Sequence, residues 1–219
     1  MNIAITGANG FIAKNLILSF KNLEKNRLFL ITRTTKKKTF EKIILKSDII
    51  YHLAGVNRPI KNKSSYNENL ELTDRICKII ENNNLNKKII FSSSIKILKN
   101  NCNYGVSKKN SEKRLKQLTK KNKSRVMILR LPNIFGKWSR PNYNSVVSTF
   151  CYNVSRKKKI FISDKKKIIN LLYIDDLIKK LIQLKTYKPK GYEVLKKFSH
   201  VKTINLINLS KIIKNFEKK

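Results

Sequence analysis

The stretch "AITGANGFIAKNLI", residues 4–17, decides the fold class because it joins an apolar strand to a helix through a glycine turn. Gly7 permits a tight turn after the strand, Gly10 lets backbone N–H groups approach a pyrophosphate, and Ala13 is small enough for close helix–strand packing. The N-terminus of the helix then faces the phosphates. The predicted cofactor contacts in this dinucleotide-binding loop are Gly7, Asn9, Gly10, Phe11 and Ile12.

Outward from this loop, apolar β-rich runs alternate with helical patterns, which is typical of a parallel sheet with crossover helices. Strands are predicted at residues 2–6, 28–32, 48–54, 88–92 and 126–131, and helices near residues 10–20, 65–82 and 104–121. Residues 40–45 are expected to form only a turn or two of helix. The predicted fold class is α/β, a Rossmann-type doubly wound parallel sheet with a small C-terminal lobe.

The C-terminal third has a different pattern. It predicts helices over residues 141–156 and 175–184, the second capped by Asp175 or Asp176, and short strands at 159–162 and 170–174. Residues 203–219 carry Leu and Ile at helical spacing. We expect one domain over residues 1–219, in which residues 1–131 mainly bind the cofactor and residues 132–219 mainly form the substrate-binding lobe.

The composition excludes several classes of protein. Hydrophobic residues make up 41% of the chain, but no run approaches the ~18 apolar residues of a membrane helix. The N-terminus enters a strand almost directly and predicts no signal peptide. Three cysteines without a C-x-x-C spacing argue for reduced thiols and against a disulfide framework or a metal site. We therefore expect a cytoplasmic protein.

The net charge of +37 is compatible with nucleic-acid binding, which uses Lys and Arg to neutralise phosphates. However, Lys, Asn and Ile are enriched together, as an AT-rich coding sequence would produce. The lysines are also spread along the chain in short runs, such as residues 36–38, 157–159 and 165–167, instead of lining one helix. Nucleic acid is therefore the less favoured partner, and the positive field favours a small anionic ligand such as a dinucleotide or a sugar nucleotide.

The end of the second predicted strand indicates which dinucleotide binds. NAD-binding loops usually carry an acid there for the ribose 2′-hydroxyl, whereas "LFLITRTTKKK", residues 28–38, has none and places Arg33 there. A guanidinium suits a 2′-phosphate. NADPH is therefore the predicted cofactor, with NAD as the alternative.

The segment "SSSIKILKNNCNYGVSKK", residues 92–109, places Tyr104 and Lys108 four residues apart. Spacing alone does not decide their role, because Tyr192 and Lys196 repeat it by chance in a lysine-rich chain. Chain order does. "TGANGFIA" (6–13), "YHLAG" (51–55), the serine cluster and the Tyr104/Lys108 pair, in this order, resemble the extended short-chain dehydrogenase/reductase superfamily over essentially the whole length.

This resemblance implies an NAD(P)-dependent oxidoreductase with Ser94, Tyr104 and Lys108 as catalytic residues. In the family, a nicotinamide hydride adds to a keto carbon while the tyrosine protonates the alkoxide. A free tyrosine has a pKa near ~10, and the ammonium of Lys108, one helical turn on, lowers it and bonds the nicotinamide ribose. Ser94 hydrogen-bonds the carbonyl oxygen. Further implied cofactor contacts are Arg33, Leu53, Ala54, Gly55, Lys108 and Leu131.

A closer resemblance is to the reductase domain of the CapF family of capsular polysaccharide synthesis enzymes. It rests on "HLAGVNRP" (52–59), "FSSSIKIL" (91–98), "RLPNIFGKWSRPNYNSVVSTFCYN" (130–153) and "LLYIDDL" (171–177). It implies NADPH-dependent reduction of the 4-keto group of a UDP-linked 2-acetamido-6-deoxy-hexose in capsule or O-antigen synthesis. In that family a cupin epimerase domain follows, near where this chain ends. Either a separately encoded cupin epimerase is the partner that supplies this step, or the chain is a fragment or a diverged remnant.

The same resemblance assigns the remaining positions. Asn69 would support the active-site loop, His52 would lie beside the cofactor without acting as acid or base, and His200 would lie at the surface. A phosphate contact is expected from Lys137 or Arg140. The family's pairing through helices beside the Tyr-bearing one implies a homodimer. The implied substrate contacts are Arg58, Asn133, Lys137, Arg140, Asn142 and Tyr143.

Alternative functions stay open at this point. A 4,6-dehydratase is disfavoured, because the serine cluster is followed by "IKIL" without the Asp-Glu pair that such enzymes use. A nucleotide-sugar 4-epimerase that holds NAD tightly would use the same catalytic residues. A third hypothesis is a non-catalytic, basic Rossmann protein that binds nucleotides or nucleic acid.

Overall fold

A computed structural model describes residues 1–21, 26–58, 66–98, 102–162 and 164–217. The chain divides into two compact units, residues 1–131 with 178–197 and residues 132–177 with 198–219. In chain order, the elements are β1 (Asn2–Thr6), α1 (Phe11–Lys21), β2 (Arg27–Ile31), α2 (Lys37–Lys46), β3 (Ile49–His52), α3 (Asn67–Asn82), β4 (Lys88–Ser94), a 3-10 turn (Ile95–Leu98), α4 (Asn103–Lys121), β5 (Arg125–Leu131), β6 (Asn133–Phe135), α5 (Val146–Val154), β7 (Ile168–Tyr173), α6 (Ile174–Gln183), β8 (Tyr192–Leu195), β9 (Lys202–Asn205) and α7 (Leu206–Glu217).

The first unit is built on a six-stranded parallel sheet with the order β2-β1-β3-β4-β5-β8. This confirms the predicted Rossmann-type α/β class. The register places Thr6 beside His52 and His52 beside Phe91, so the carboxyl ends of β1, β3 and β4 lie at one edge of the sheet. Three serines of β4 extend beyond this level, and Ser94 pairs with Leu131 at the end of β5.

Helices cover both faces of this sheet. On one face, α2, α3 and α4 pack apolar side chains such as Phe40, Ile76 and Leu115 against the strands. Burial of each such side chain contributes about 1.5–3 kcal/mol. On the other face, Phe20 of α1 meets the ring of Tyr51 edge-on at 5.6 Å. The Tyr51 hydroxyl donates to the Leu181 carbonyl oxygen of α6 (2.9 Å), which satisfies a buried polar group.

Three local predictions for this unit were wrong: the length of α2, the end of β3, and the end of β4, which continues to Ser94. α2 is a helix of ten residues because Phe40 and Ile44 lie one turn apart and are both buried in the core. The third strand ends at His52, two residues before its predicted end. The Leu53 N–H donates to the Tyr51 carbonyl oxygen and the Ala54 N–H donates to the Thr6 side chain, so neither N–H bonds to a neighbouring strand.

The second unit contains a three-stranded sheet with the order β6-β7-β9, in which β6 is parallel and β9 antiparallel to β7. α5 and α7 pack onto it through Phe150, Leu206 and Leu209, among others. Ser145 caps α5 by accepting the Ser148 N–H. None of the described helices is long and apolar enough to cross a membrane.

Several predictions for the C-terminal third also need correction. Residues 159–162 form no strand, and Ile160 and Ile162 instead pack against the core of the second unit without strand pairing. Residues 203–205 continue β9, and the helix begins only at Leu206. α6 begins at Ile174, so Asp175 and Asp176 lie in its first turn and not at its N-cap. The short strands β6 and β8 were not predicted.

The predicted split between cofactor and substrate halves refers to binding and stays a prediction. The structure itself groups residues 178–197 with residues 1–131, because β8 pairs with β5 at the edge of the large sheet.

Candidate functional site

The loop between β1 and α1 is shaped by its two glycines. Gly7 has a φ of +70°, and a Cβ there would lie 2.7 Å from Ala54 Cα. The Gly10 N–H donates to the Gly7 carbonyl oxygen (2.7 Å), and a Cβ on Gly10 would lie 2.9 Å from that same oxygen. A side chain at either position would therefore clash with nearby backbone atoms.

α1 begins at Phe11, directly after this turn, with Asn9 exposed beside it. The N–H groups of a helix's first turn have no acceptor within the helix, and the positive end of the helix dipole lies there. A backbone turn narrow enough to need glycine, followed by such N–H groups, fits a pyrophosphate. The five predicted loop contacts, residues 7 and 9–12, lie in this turn and in the first two positions of α1.

Arg33 lies just beyond the carboxyl end of β2, next to β1 in the sheet. Its guanidinium is 3.1 Å from a carboxylate oxygen of Glu68, near the start of α3, and the two side chains are 79% and 48% exposed. An exposed ion pair of this kind contributes at most about 1 kcal/mol. The guanidinium can therefore exchange this carboxylate for a better anion at little cost.

Lys108 is the most unusual side chain of the site, because its charge is almost completely buried (2% exposed). Its Nζ lies 3.4 Å from the Ala54 carbonyl oxygen and 4.6 Å from the centre of the Phe91 ring. Burial lowers the pKa of Lys108 to about 7, and the charge of Glu112 opposes this change. A Cβ on Gly55 would lie 2.8 Å from Nζ, so glycine at that position leaves room for the ammonium.

Tyr104 stands one turn earlier on α4 and is half-buried. The centre of its ring is 6.0 Å from Lys108 Nζ and 5.6 Å from Lys96 Nζ. The Tyr66 ring lies 6.4 Å away, and the Tyr66 hydroxyl donates to the Asn57 carbonyl oxygen. Positive charges beside a phenol stabilise its ionised form. The predicted Tyr–Lys pair is thus brought together at the end of the sheet that the glycine loop occupies.

The three serines that end β4 have different roles. Ser92 donates to the His52 carbonyl oxygen (3.3 Å), and Ser93 donates to a carboxylate oxygen of Glu112 (2.5 Å). The Ser94 oxygen instead accepts the Lys96 N–H (3.2 Å). Ser94 therefore differs from its neighbours in using its oxygen as an acceptor, which favours it among the three as a hydroxyl donor to a ligand.

His52 is held between two threonines. Thr73 donates its hydroxyl proton to the Asn69 carbonyl oxygen (2.7 Å), so it must accept a proton from His52 Nε2 (3.0 Å). His52 Nδ1 then accepts from Thr6 (2.8 Å), whose oxygen also receives the Ala54 N–H. Burial and the charge of Lys108 lower the pKa of His52 to about 3. Both the bonding and the pKa keep the ring neutral, so His52 does not act as an acid or base near pH 7.

Asn69 connects the loop after β3 to α4. Its Oδ1 accepts the Val56 N–H (2.7 Å), and its Nδ2 donates to the Val56 carbonyl oxygen (3.3 Å) and to the Ser107 hydroxyl (3.0 Å). Every polar atom of this buried amide thus fixes the chain next to Gly55 or the helix that carries Tyr104. Thr6, Thr73 and Glu112 belong to the same constellation and were not predicted. Of these three, only Glu112 could have been noticed from the sequence, because it lies four residues after Lys108 and therefore on the same helical face.

The predicted substrate contacts fall in both units. Arg58 follows β3 in the first unit, and the other five lie within residues 133–143 of the second. Asn133 donates to the Asn170 carbonyl oxygen, and Lys137 Nζ lies 5.3 Å from the centre of the Trp138 ring. The N–H groups of Arg140 and Asn142 donate to Asn144 and Thr149, respectively. These contacts fix the segment that carries Tyr143, and its substrate contacts stay a prediction.

His200 is exposed, as expected of a surface residue. The chance pair Tyr192/Lys196 lies in β8 and just after it, and not on a helix.

A model of the NAD dependent epimerase/dehydratase family matches residues 3–194. The UDP-2-acetamido-2,6-beta-L-arabino-hexul-4-ose reductase of Pseudomonas aeruginosa is 39% identical over 184 residues, 84% of this chain and 49% of that protein. The chain therefore spans about half the length of the curated relative it matches.

The crystal structure of the capsular polysaccharide assembling protein CapF from Staphylococcus aureus is similar, with a TM-score of 0.84 and 34% identity over 100% of this chain and 59% of that chain. The UDP-glucuronic acid 4-epimerase from Bacillus cereus in complex with NAD has a TM-score of 0.87 at 19% identity, over 100% of this chain and 85% of that chain. At this identity the likeness shows the fold alone.

Proposed function

Because this chain belongs to the NAD dependent epimerase/dehydratase family, we propose that it is an NADPH-dependent reductase of the 4-keto group of a UDP-linked 2-acetamido-6-deoxy-hexose. The observation that carries the proposal is the buried ammonium of Lys108, placed between the Tyr104 ring and the loop that packs on Gly7. The likeness to a reductase of a UDP-linked hexulose supports the choice of reaction and substrate.

The residues present fit a nicotinamide dinucleotide. Gly7 and Gly10 allow the tight backbone turn before α1, whose first N–H groups would bind a pyrophosphate, and Gly55 leaves the space around the Lys108 ammonium. The cofactor contacts are then residues 7 and 9–12, Arg33, Leu53, Ala54, Gly55, Lys108 and Leu131. When bound, the nicotinamide supplies a hydride to the keto carbon.

The chain's own groups handle the proton. Ser94 donates a hydrogen bond to the keto oxygen, and Tyr104 donates its phenolic proton to the same oxygen as it becomes an alkoxide. The ammonium of Lys108 stabilises the tyrosinate that remains. His52 stays neutral and contributes only by holding the Ala54 backbone through Thr6.

The preference for NADPH over NADH is assigned to Arg33. Its guanidinium is exposed and lies just beyond the end of β2, and among the described residues its ion-pair partner is the exposed Glu68. A 2′-phosphate, with two charges and several acceptor oxygens, would compete well for it. The Glu68 carboxylate also favours a second candidate, a 4-epimerase that retains NAD, because a carboxylate at that end of the sheet suits a free 2′-hydroxyl.

The wider context is proposed on the likeness to CapF. We place the reaction in capsule or O-antigen sugar-nucleotide synthesis in the cytoplasm, with a homodimer as the assembly and a cupin epimerase as the partner that supplies the epimerised substrate. Arg58, Asn133, Lys137, Arg140, Asn142 and Tyr143 are proposed to contact the UDP-sugar.

The deciding experiment has two arms. Binding of NADPH and NADH is first titrated by fluorescence, and NADPH oxidation at 340 nm is then followed with a UDP-linked 4-keto-6-deoxy-hexosamine. Exchangeable NADPH and stoichiometric oxidation support the reductase. Tightly bound NAD(H) that survives gel filtration, with no net oxidation, supports the epimerase, and absence of both refutes an enzyme of this class.

A further inference from the structure

α4 carries two buried side chains of opposite charge one helical turn apart. Lys108 and Glu112 are 2% and 4% exposed. Residues four apart lie on the same face of a helix. Burying a single charge is costly unless an opposite charge accompanies it, so the presence of both on the buried face of α4 needs a reason.

Three hydrogen bonds from two strands fix the Glu112 carboxylate. Ser93 of β4 donates to Oε1 (2.5 Å), while Arg130 of β5 donates from Nε to Oε1 (3.2 Å) and from Nη2 to Oε2 (2.7 Å). Such a two-pronged guanidinium contact restricts the carboxylate to one orientation. Glu112 is therefore a rigid negative charge, held from β4 and β5, on the face of α4 that also carries Lys108.

The ionisable groups that face Lys108 come from several elements. They are His52 of β3, Tyr104 and Glu112 of α4, Lys96 beyond Tyr104, and Arg130 beyond Glu112. His52 is neutral, because its pKa is lowered to about 3. Within the part of the chain that the structure describes, Glu112 is the one carboxylate of this set.

We propose that Glu112 is a positioning residue whose fixed carboxylate keeps the buried Lys108 protonated beside Tyr104. The proposal rests on the reductase function above, since a cationic Lys108 is what that reaction needs. Burial lowers the pKa of Lys108 and the charge of Glu112 raises it, and together they bring it to about 7. A change in either effect therefore alters the charge of Lys108 near neutral pH.

The proposal predicts the direction in which two substitutions change the pKa of Lys108. Glu112→Gln removes the negative charge, so the ammonium loses support and the pKa of Lys108 falls. Arg130→Gln removes the guanidinium that partly neutralises Glu112, so the pKa of Lys108 rises. A purely structural role would weaken the fold in both variants, without moving the titration of Lys108 in opposite directions.

The test measures this titration directly. Protein labelled with ¹³C at the lysine ε-carbons is titrated by NMR, and the spectrum of Lys108→Met identifies the signal. We expect the midpoint to fall by about one pH unit or more in Glu112→Gln and to rise in Arg130→Gln. The alkaline limit of kcat should move in the same directions.

Glu81→Gln is the matched control. Glu81 is also gripped by an arginine, with contacts of 2.9 and 2.7 Å from Arg114, and the charge of Lys108 is not among the causes that shift its pKa. It should leave the Lys108 midpoint unchanged. Should Glu112→Gln not fold, Glu112→Asp, which withdraws the charge by one methylene, must still lower the midpoint.

A folded Glu112→Gln protein with the wild-type midpoint overturns the proposal, as does a shift of both variants in the same direction. The NMR titration needs neither cofactor nor substrate. Absence of turnover would therefore count against the reductase, whereas an unmoved midpoint counts against Glu112 alone.

Discussion

The Nζ atom of Lys108 lies 3.4 Å from the carbonyl oxygen of Ala54, and the Cα atom of that same Ala54 lies where a side chain on Gly7 would have to go. Ala54 is thus the point at which the glycine loop and the helix with the Tyr–Lys pair meet. A substitution that displaces Ala54 should therefore alter both the glycine loop and the surroundings of Lys108.

Tyr104→Phe removes the phenolic proton but keeps the ring that packs near Tyr66 and the two ammonium groups. We expect kcat for the 4-keto sugar nucleotide to fall at least about 100-fold, since general acid catalysis contributes on this scale. NADPH affinity, measured by fluorescence titration, should stay nearly unchanged. Undiminished turnover would remove Tyr104 from the catalytic residues.

Gly7→Ala combines an unfavourable positive φ with a steric clash, because its Cβ would lie 2.7 Å from Ala54 Cα. Gly191→Ala is the control: its φ is +72°, but no atom lies within 4 Å of the added Cβ. The control should cost about 1 kcal/mol of unfolding free energy in urea and leave cofactor binding intact. Gly7→Ala should cost clearly more and abolish binding, and equal effects of the two would contradict the packing argument.

Arg33→Ala should weaken NADPH binding by about tenfold and leave NADH binding nearly unchanged, because only NADPH offers a phosphate to the guanidinium. Glu68→Gln removes the carboxylate that now holds Arg33, so NADPH should bind at least as tightly as before. Isothermal titration with both cofactors measures the two variants. An equal loss for NADPH and NADH in Arg33→Ala would place the 2′-phosphate elsewhere.

His52 should make stability depend on pH. Its pKa is lowered from 6.5 to about 3 in the folded chain, so the unfolded chain binds a proton first as the pH falls. The stability that His52 contributes is fully present above pH 6.5 and is lost as the pH falls toward 3, on the order of a few kcal/mol.

His52→Gln keeps a polar side chain between Thr6 and Thr73 but does not titrate. Its unfolding free energy, measured by urea denaturation, should therefore fall less between pH 7 and pH 4 than that of the wild type. Parallel curves for the two proteins would show that His52 is not the buried neutral group described above.

The sequence was most informative where the physical requirement is local. The turn at Gly7 and Gly10 needs residues without side chains at fixed spacing, so it could be predicted from neighbours in the chain. Tyr104 and Lys108 share a helical face, but the order of the motifs along the chain was needed to distinguish them from the chance pair Tyr192/Lys196. The Rossmann-type class followed from the alternation of strands and helices and is confirmed. α2 was underestimated because the burial of Phe40 and Ile44, which stabilises it, comes from tertiary packing.

What could not be predicted depends on pairing between distant residues. β6 and β8 are three and four residues long, and none of the β8 residues is fully buried, so their apolar pattern is weak. Residues 159–162 have the composition of a strand but no strand partner. The role of Glu112 could not be predicted, because its hydrogen-bond partners Ser93 and Arg130 lie on β4 and β5 and are distant from it in the chain.

The edge strand β8, residues 192–195, pairs with β5. Between these two strands the chain passes through residues 132–177, which belong to the second unit. A gene fragment that stops at residue 131 would therefore encode a sheet with β5 uncovered, and an open edge invites pairing with other chains. Exchange of residues 132–177 between homologues by recombination would need two crossover points, one on each side of this segment, to leave β8 and the nucleotide fold in place.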